Sequence, residues 1–244
     1  MPESLKVLAD IIAWSKEHES PVGYFAALYT KVGLRIEEAI KANNFQHPDM
    51  LRHLDVVFFN RYLEALHTWH AGKTPSLPWK VACDATKNAD LIVLQHLLLA
   101  MNAHIDLDLG VATAAAIPKQ ELNDFKVDFA TMNQLLASIM CDVEKDMALV
   151  FKLLKPINCL FRREEDSVLN FSMRVVRERA WDTCLTMSKL EGAQLDTAIA
   201  NLANRVGGLS QTIATPGLVG NLAVRCLRHG ENGSVAQKIS DLQQ

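Results

Sequence analysis

Residues 88–116 read NADLIVLQHLLLAMNAHIDLDLGVATAAA and form the most apolar long stretch of the 244-residue chain. Its first part is apolar on almost every side of a helix, which predicts a helix buried at the centre of a bundle. Polar groups are nevertheless set into it, and burying each one costs about 1–3 kcal/mol unless it finds a hydrogen-bond partner. These groups are His96, Asn102, His104, Asp106 and Asp108. We therefore expect a polar centre inside the protein core.

The sequence on either side of this stretch also predicts helices. Apolar residues recur at three- to four-residue spacing, as at Leu54, Phe58, Tyr62 and Leu66, and no window alternates with a period of two. Asp106, Leu107 and Asp108 followed by Gly110 predict a break, with a carboxylate capping the next helix. The predicted helices span 3–18, 21–42, 48–71, 78–86, 88–103, 107–117, 126–155, 164–190, 194–213 and 216–229. The predicted fold is an all-α, single-domain helical bundle.

Composition narrows the class of protein further. The net charge of −3 disfavours a nucleic-acid partner, and five scattered cysteines without a C-x-x-C pair disfavour disulfides or a zinc ribbon. Neither apolar stretch, 91–101 or 111–117, has the roughly 20 residues that span a bilayer, so we expect no membrane. We expect a cytoplasmic domain over residues 1–230 and a polar tail, 231–244, that frays. The oligomeric state stays open.

The spacing of the polar groups suggests a shared site. His104 and Asp108 lie four residues apart, on one face of a continuous helix, and His96 precedes His104 by eight residues, about 80° around the axis. Imidazole and carboxylate together suit Zn, Fe or Mn, so His96, His104 and Asp108 are the predicted metal ligands. Asn102 or Asp106 can accept a hydrogen bond from the other ring nitrogen of a ligand histidine.

A neighbouring helix offers further candidates. Asp55 and Tyr62 lie two turns apart on the same side of helix 48–71, where a tyrosine hydroxyl can orient a carboxylate or a bound ligand. Core packing with one satisfied hydroxyl is the alternative for Tyr62. Arg61 is interpreted as exposed. Arg174 and Arg177 share a helix face that can hold an anion, but the acidic residues among them favour a solvated ion-pair surface.

The stretch Leu94–Leu109, LQHLLLAMNAHIDLDL, resembles a signature of the form LQHLLLGMNAHIN-x-DL in a bacterial family of uncharacterised all-helical proteins. Two positions depart from it, Ala100 in place of glycine and Asp106 in place of asparagine. The resemblance implies a helical fold and a polar site around the signature. It implies no reaction.

Two functional hypotheses follow from these residues. The first is a small enzyme with a buried His/Asp centre, either a metal-dependent hydrolase or an oxygen-using enzyme. Its candidate catalytic residues are His104, Asp108, Asp55 and Tyr62. A metal there would lower the pKa of a bound water, and without one Asp108 would orient His104 as a general base. The second is a non-enzymatic ligand-binding or interaction protein whose polar cluster is a structural hydrogen-bond network. A small molecule is the expected partner in the first hypothesis and fits the second.

Overall fold

The computed structural model describes residues 3–150, 168–217, 224 and 227–244. Over these residues the chain forms helices and no β-strand, which confirms the predicted all-α bundle. The predicted helix 216–229 lies mostly outside the described residues, as do the end of 126–155 and the start of 164–190.

The helices follow the predicted order, with most ends within a few residues of their predicted places. They are α1 (Glu3–Glu17), α2 (Val22–Lys41), α3 (Pro48–His70), α4 (Leu77–Ala85), α5 (Val93–Met101), α6 (Gly110–Ala116), α7 (Leu122–Val150), α8 (Val168–Met187), α9 (Gly192–Ala214) and α10 (Val235–Leu242). A π-helical segment, Asn102–Leu109, joins α5 to α6, and a short 3₁₀ turn, Lys119–Glu121, precedes α7. Pro48 and Pro78 occupy first-turn positions of α3 and α4, where a missing N–H costs nothing.

Most of the apolar stretch 88–116 forms one central helix, Val93–Ala116, made of α5, the π segment and α6. The predicted break at Asp106–Gly110 is therefore wrong, because the predicted helices 88–103 and 107–117 are continuous. Gly110 serves close packing instead, because a Cβ there would lie 2.5 Å from the Ala180 carbonyl oxygen of α8. The π segment, whose hydrogen bonds run from i to i+5, carries the helix through the polar residues without ending it.

The central helix owes its apolar character to its place in the bundle. At 24 residues it is long and apolar enough to cross a membrane by length and composition alone. The apolar stretches 91–101 and 111–117, predicted to be separate and too short, therefore belong largely to one helix. However, 83% of its most apolar window is buried inside the protein. It packs against α2, α3, α4, α8 and α9. A buried core helix can be as long and as apolar as a helix that spans a membrane.

The C-terminal segment is structured where a frayed tail was predicted. Ile239 and Leu242 of α10 are buried against α1 and α2, and a Cβ at Gly23 would collide with Ile239. Glu231 accepts a hydrogen bond from the Val93 backbone N–H, 2.6 Å away, and so caps the first turn of the central helix. Two buried apolar residues three positions apart are enough to anchor a short helix within the mostly polar segment 231–244.

Candidate functional site

Two polar residues of the π segment, Asn102 and Asp106, point away from the predicted metal site. The Asn102 amide donates to the Val206 carbonyl oxygen at 3.1 Å and to Ser210 Oγ at 2.9 Å, both on α9. The Asp106 carboxylate lies 3.5 Å from Arg179 Nη2 on α8. Burial raises the pKa of Asp106, while the charge of Arg179 opposes that rise. Asn102 and Asp106 thus fasten the central helix to its neighbours, and the prediction that they orient a ligand histidine is wrong.

Asp108 is committed to a different set of partners. Its carboxylate accepts hydrogen bonds from Arg61 Nε at 2.8 Å and from Trp79 Nε1 at 2.7 Å, which ties α3 and α4 to the π segment. Burial raises the pKa of Asp108, and the charge of Arg61 opposes the rise. The predicted pair in which Asp108 orients His104 is not formed. Arg61, interpreted from the sequence as exposed, is the half-buried counter-ion of this carboxylate.

His104 lies in a cage of aromatic rings instead. Its ring stacks on Phe58 with centroids 3.6 Å apart and planes 11° from parallel, and Tyr29 and Phe25 follow at 4.8 and 5.5 Å. The residue is 3% exposed, and neither ring nitrogen has a hydrogen-bond partner. Burial lowers the pKa of His104 well below its ordinary value, and the charge of Arg61 lowers it further. The imidazole is therefore neutral at pH 7.

A cavity of about 80 Å³ opens beside this ring. Residues from α2, α3, α7, α8 and the central helix line it, and most of them are apolar. Its polar wall groups are His104, the Tyr29 hydroxyl, Asp55 and Arg177. The apolar and aromatic lining consists of Phe25, Leu28, Val32, Ile36, Leu51, Leu54, Phe58, Met101, Ile105, Leu109, Met132 and Leu136. The exposed lining is almost wholly apolar, and the polar atoms of these side chains lie just beneath it. A small-molecule site is usually such an apolar cavity with a few polar groups at its wall.

Asp55 stands where this cavity meets the surface. Together with Ile36 it also lines a wider groove of about 620 Å³ between α1, α2 and α3. Burial and the charge of Glu37 raise the pKa of Asp55 to about 6. The charge of Asp55 acts in turn on Tyr29, whose hydroxyl is buried without a hydrogen-bond partner. Asp55 therefore lies at the wall of both the groove and the cavity, and Tyr29 lies at the cavity wall on α2.

Tyr62 and His96 belong to a second, smaller cavity of about 30 Å³. The Tyr62 hydroxyl and His96 Nδ1 are buried without hydrogen-bond partners. Tyr62 therefore does not orient a carboxylate, and although it packs in the core its hydroxyl is not satisfied as the alternative expected. Burial lowers the pKa of His96 to about 4. Neither residue lines the cavity beside His104.

The predicted metal ligands are therefore not brought together. His96 and His104 line different cavities, and Asp108 is held by Arg61 and Trp79. No group of three or more His, Cys, Asp or Glu side chains suited to a metal ion occurs within the described part of the chain. The assignment of His96, His104 and Asp108 as a common ligand set is wrong.

Arg177 is the functional candidate for which the sequence favoured the wrong interpretation. It was assigned to a solvated ion-pair surface, yet it is 3% exposed and lines the cavity from α8. Its Nε is buried without a hydrogen-bond partner. Burial lowers the pKa of Arg177, and the neighbouring charge of Glu178 opposes that effect. The helix face shared by Arg174 and Arg177 was the available signal for an anion-binding residue.

Comparison with known proteins identifies the family of the chain but assigns no activity. The model of a protein family of unknown function, DUF5995, matches residues 2–216. The match confirms the expected membership in a family of unknown function. No curated protein and no solved structure matches the chain.

Proposed function

Because the chain belongs to the DUF5995 family, whose function is unknown, we propose its role from the site: it binds a small, mostly apolar molecule in the cavity beside His104. The observation that carries this proposal is the His104 ring, buried with both nitrogens unpartnered at a cavity wall. Leaving a buried polar group without a hydrogen bond costs about 1–3 kcal/mol. A ligand that hydrogen-bonds to the ring recovers that cost.

The rival interpretation, a closed structural network, accounts for only part of the cluster. Asn102, Asp106 and Asp108 each have protein partners on neighbouring helices. His104 and the Tyr29 hydroxyl do not, although both are buried. A water molecule occupies about 30 Å³ of liquid, so the cavity has room for more than one water-sized group.

The chemistry of the cavity indicates what it can hold. A neutral imidazole offers one donor and one acceptor, so His104 can bind a hydroxyl, a carbonyl or a carboxylate. The faces of Phe25 and Phe58 and the aliphatic lining suit an apolar body. Metal-assisted hydrolysis is not part of this proposal, because the side chains that would hold the metal lie apart.

Two methionines allow the proposal to be tested directly. Met101 and Met132 line the cavity, whereas Met187 belongs to a separate apolar cluster beside α9. In protein labelled with ¹³C at the methionine methyl groups, we expect at least one of ethanol, acetone and acetate to shift the Met101 and Met132 signals saturably. The Met187 signal should stay in place.

A matched pair of substitutions shows whether those shifts arise in the cavity. Val32→Phe fills space at the cavity wall and should abolish them, while Val127→Phe places the same ring on an exposed position of α7 and should leave them intact. The proposal fails if none of the three compounds moves the two signals. It also fails if the shifts persist unchanged in Val32→Phe.

A further inference from the structure

We propose that the groove between α1, α2 and α3 is a second binding site and that it takes an organic cation. The ammonium group of this amine binds Asp55, and its apolar body lies along the groove. The site goes beyond the one proposed beside His104, because the place, the charge and the size of the ligand all differ. The groove has a volume of about 620 Å³, within the roughly 300–1,000 Å³ that is usual for sites of small organic molecules.

The walls of the groove supply apolar contacts. Every residue that lines it belongs to α1, α2 or α3, and about half of these residues are apolar, including Val7, Ile40 and Phe59. Val56, in the wall formed by α3, is 54% exposed, more than any other large hydrophobic residue that the structure describes. Apolar surface that is gathered in one place and rimmed by polar residues is typical of a binding site.

Three of the four charged side chains at the groove have a partner of opposite charge. Each pair joins residues three or four positions apart on one helix. These pairs are Glu3 with Lys6 at 3.3 Å, Glu37 with Lys41 at 3.5 Å and Arg52 with Asp49 at 3.0 Å. The fourth charged side chain is that of Asp55, and no cation among the described residues pairs with it.

The surroundings of Asp55 make this missing partner costly. The residue is half-buried, and the charge that acts on it is the like charge of Glu37, on α2. Burial and this like charge raise the pKa of Asp55 to about 6, so keeping it ionised above that pH works against both effects. An ammonium group brings a positive charge and three N–H donors, which is what a carboxylate without a partner lacks.

The position of Glu37 indicates on which side of Asp55 the ammonium group binds. Asp55 lines both the groove and the cavity beside His104, but Glu37 lines the groove and not that cavity. The exposed lining of the cavity is almost wholly apolar, whereas the lining of the groove is partly polar. The groove side is therefore where a cation finds both carboxylates.

Two compounds of the same shape separate the effect of charge from that of apolar contact. Cyclohexylmethylamine is protonated at pH 7.5, because an alkylamine such as the lysine side chain has a pKa of about 10. Cyclohexylmethanol has the same non-hydrogen framework without the charge. Both fit the groove, since a cavity of about 150 Å³ already holds benzene.

The experiment follows methyl signals in protein labelled with ¹³C at isoleucine, valine and methionine. Ile40 and Val56 line the groove, while Val127 is similarly exposed on α7 and Met101 lines the cavity beside His104. We expect the amine to shift the Ile40 and Val56 signals saturably and to leave the other two in place. It should bind about tenfold more tightly than the alcohol, in keeping with a hydrogen bond between two charged groups.

A matched pair of variants shows whether Asp55 is the source of that preference. Asp55→Asn keeps the shape of the side chain and removes its charge, so the preference for the amine should disappear. The alcohol should still bind this variant, which shows that the groove is intact. Asp182→Asn removes a carboxylate at an exposed position of α8, outside the groove, and should keep the preference.

The outcomes that overturn the inference are distinct. Equal binding of the two compounds to the wild type overturns it, and so does a preference that survives in Asp55→Asn. If neither compound moves the Ile40 and Val56 signals, the groove is not a small-molecule site. If these signals move on dilution of the protein alone, a second copy covers the groove and the inference is wrong. The proposed function is unaffected by these results, because it is measured by other compounds at Met101 and Met132.

Discussion

Burial of Asp55 changes the pH range in which its carboxyl group loses its proton. Its pKa is raised to about 6 from its ordinary value of 3.8, so the folded state holds the proton more tightly than the unfolded state. A carboxyl group shifted in this direction reduces stability as the pH rises through the interval between the two values, and the full penalty applies above it. The cause is the half-buried position between groove and cavity, next to Glu37.

Asp55→Asn should remove this penalty. We expect the free energy of unfolding of the variant, relative to the wild type, to increase by about 1–3 kcal/mol between pH 4 and pH 7, from a shift of roughly two pKa units. Chemical denaturation at a series of pH values measures the difference. Asp182→Asn, at an exposed position of α8, is the control and should show no comparable trend. A flat difference for Asp55→Asn would contradict the assigned environment.

For individual residues, the sequence predicted burial correctly but did not predict the contacts that the buried side chains make. The five polar residues of the apolar stretch are all buried, as expected from their surroundings. Their partners were not predictable, because Asp108 binds Trp79 and Asn102 binds Ser210, residues far away in the chain. Regular α-helical spacing also does not apply to residues 102–109, where the helix is π-helical.

The central helix joins the site to the rest of the bundle. Its π segment directs Asn102 and Asp106 towards α8 and α9, and His104 and Asp108 towards the side of α3 and α4. The expected break near Gly110 rested on a carboxylate, Asp106 or Asp108, capping the next helix just before a glycine. The structure uses the small size of glycine instead, because a Cβ at this position would overlap the Ala180 carbonyl oxygen and the Thr183 side chain of α8.

Gly110→Ala tests that explanation. Alanine is favoured over glycine inside a helix by about 1 kcal/mol, but at this position its Cβ meets the backbone oxygen of Ala180. We expect the clash to dominate and the variant to lose about 1–3 kcal/mol in the free energy of unfolding. Gly208→Ala is the matched control, because a Cβ there meets nothing within 4 Å, and it should gain stability. Equal effects at both positions would show that α8 does not pack on Gly110 as described.

For the whole molecule, local signals predicted the fold, but they could not predict the cavity. Helical periodicity and one strongly apolar stretch depend only on neighbouring residues, and they predicted an all-α bundle correctly. The cavity forms where five helices meet, so it depends on residues as distant as Tyr29, Phe58 and Arg177. The α10 helix was missed for a related reason: its two buried residues stand in a polar segment, and their contacts lie at the other end of the chain.

Stability and function oppose each other at His104. A protein that keeps a buried imidazole unpartnered is less stable than it would be with an apolar ring in the same place. Asn102 is the contrasting case, since its amide makes two hydrogen bonds to α9 and its loss, as in Asn102→Ala, should cost about 1–3 kcal/mol.

The most direct test of the central claim is the free energy of unfolding of ligand-free His104→Phe, measured by chemical denaturation beside the wild type. The phenyl ring can keep the stack on Phe58, and the cavity has room for its extra carbon. We expect the variant to be more stable by about 1–2 kcal/mol, because no buried polar group is left unpartnered there, and to bind none of the compounds that shift the Met101 signal. A loss of about 2 kcal/mol or more would contradict the account, because it would show that His104 is held by structural hydrogen bonds and is not kept for a ligand.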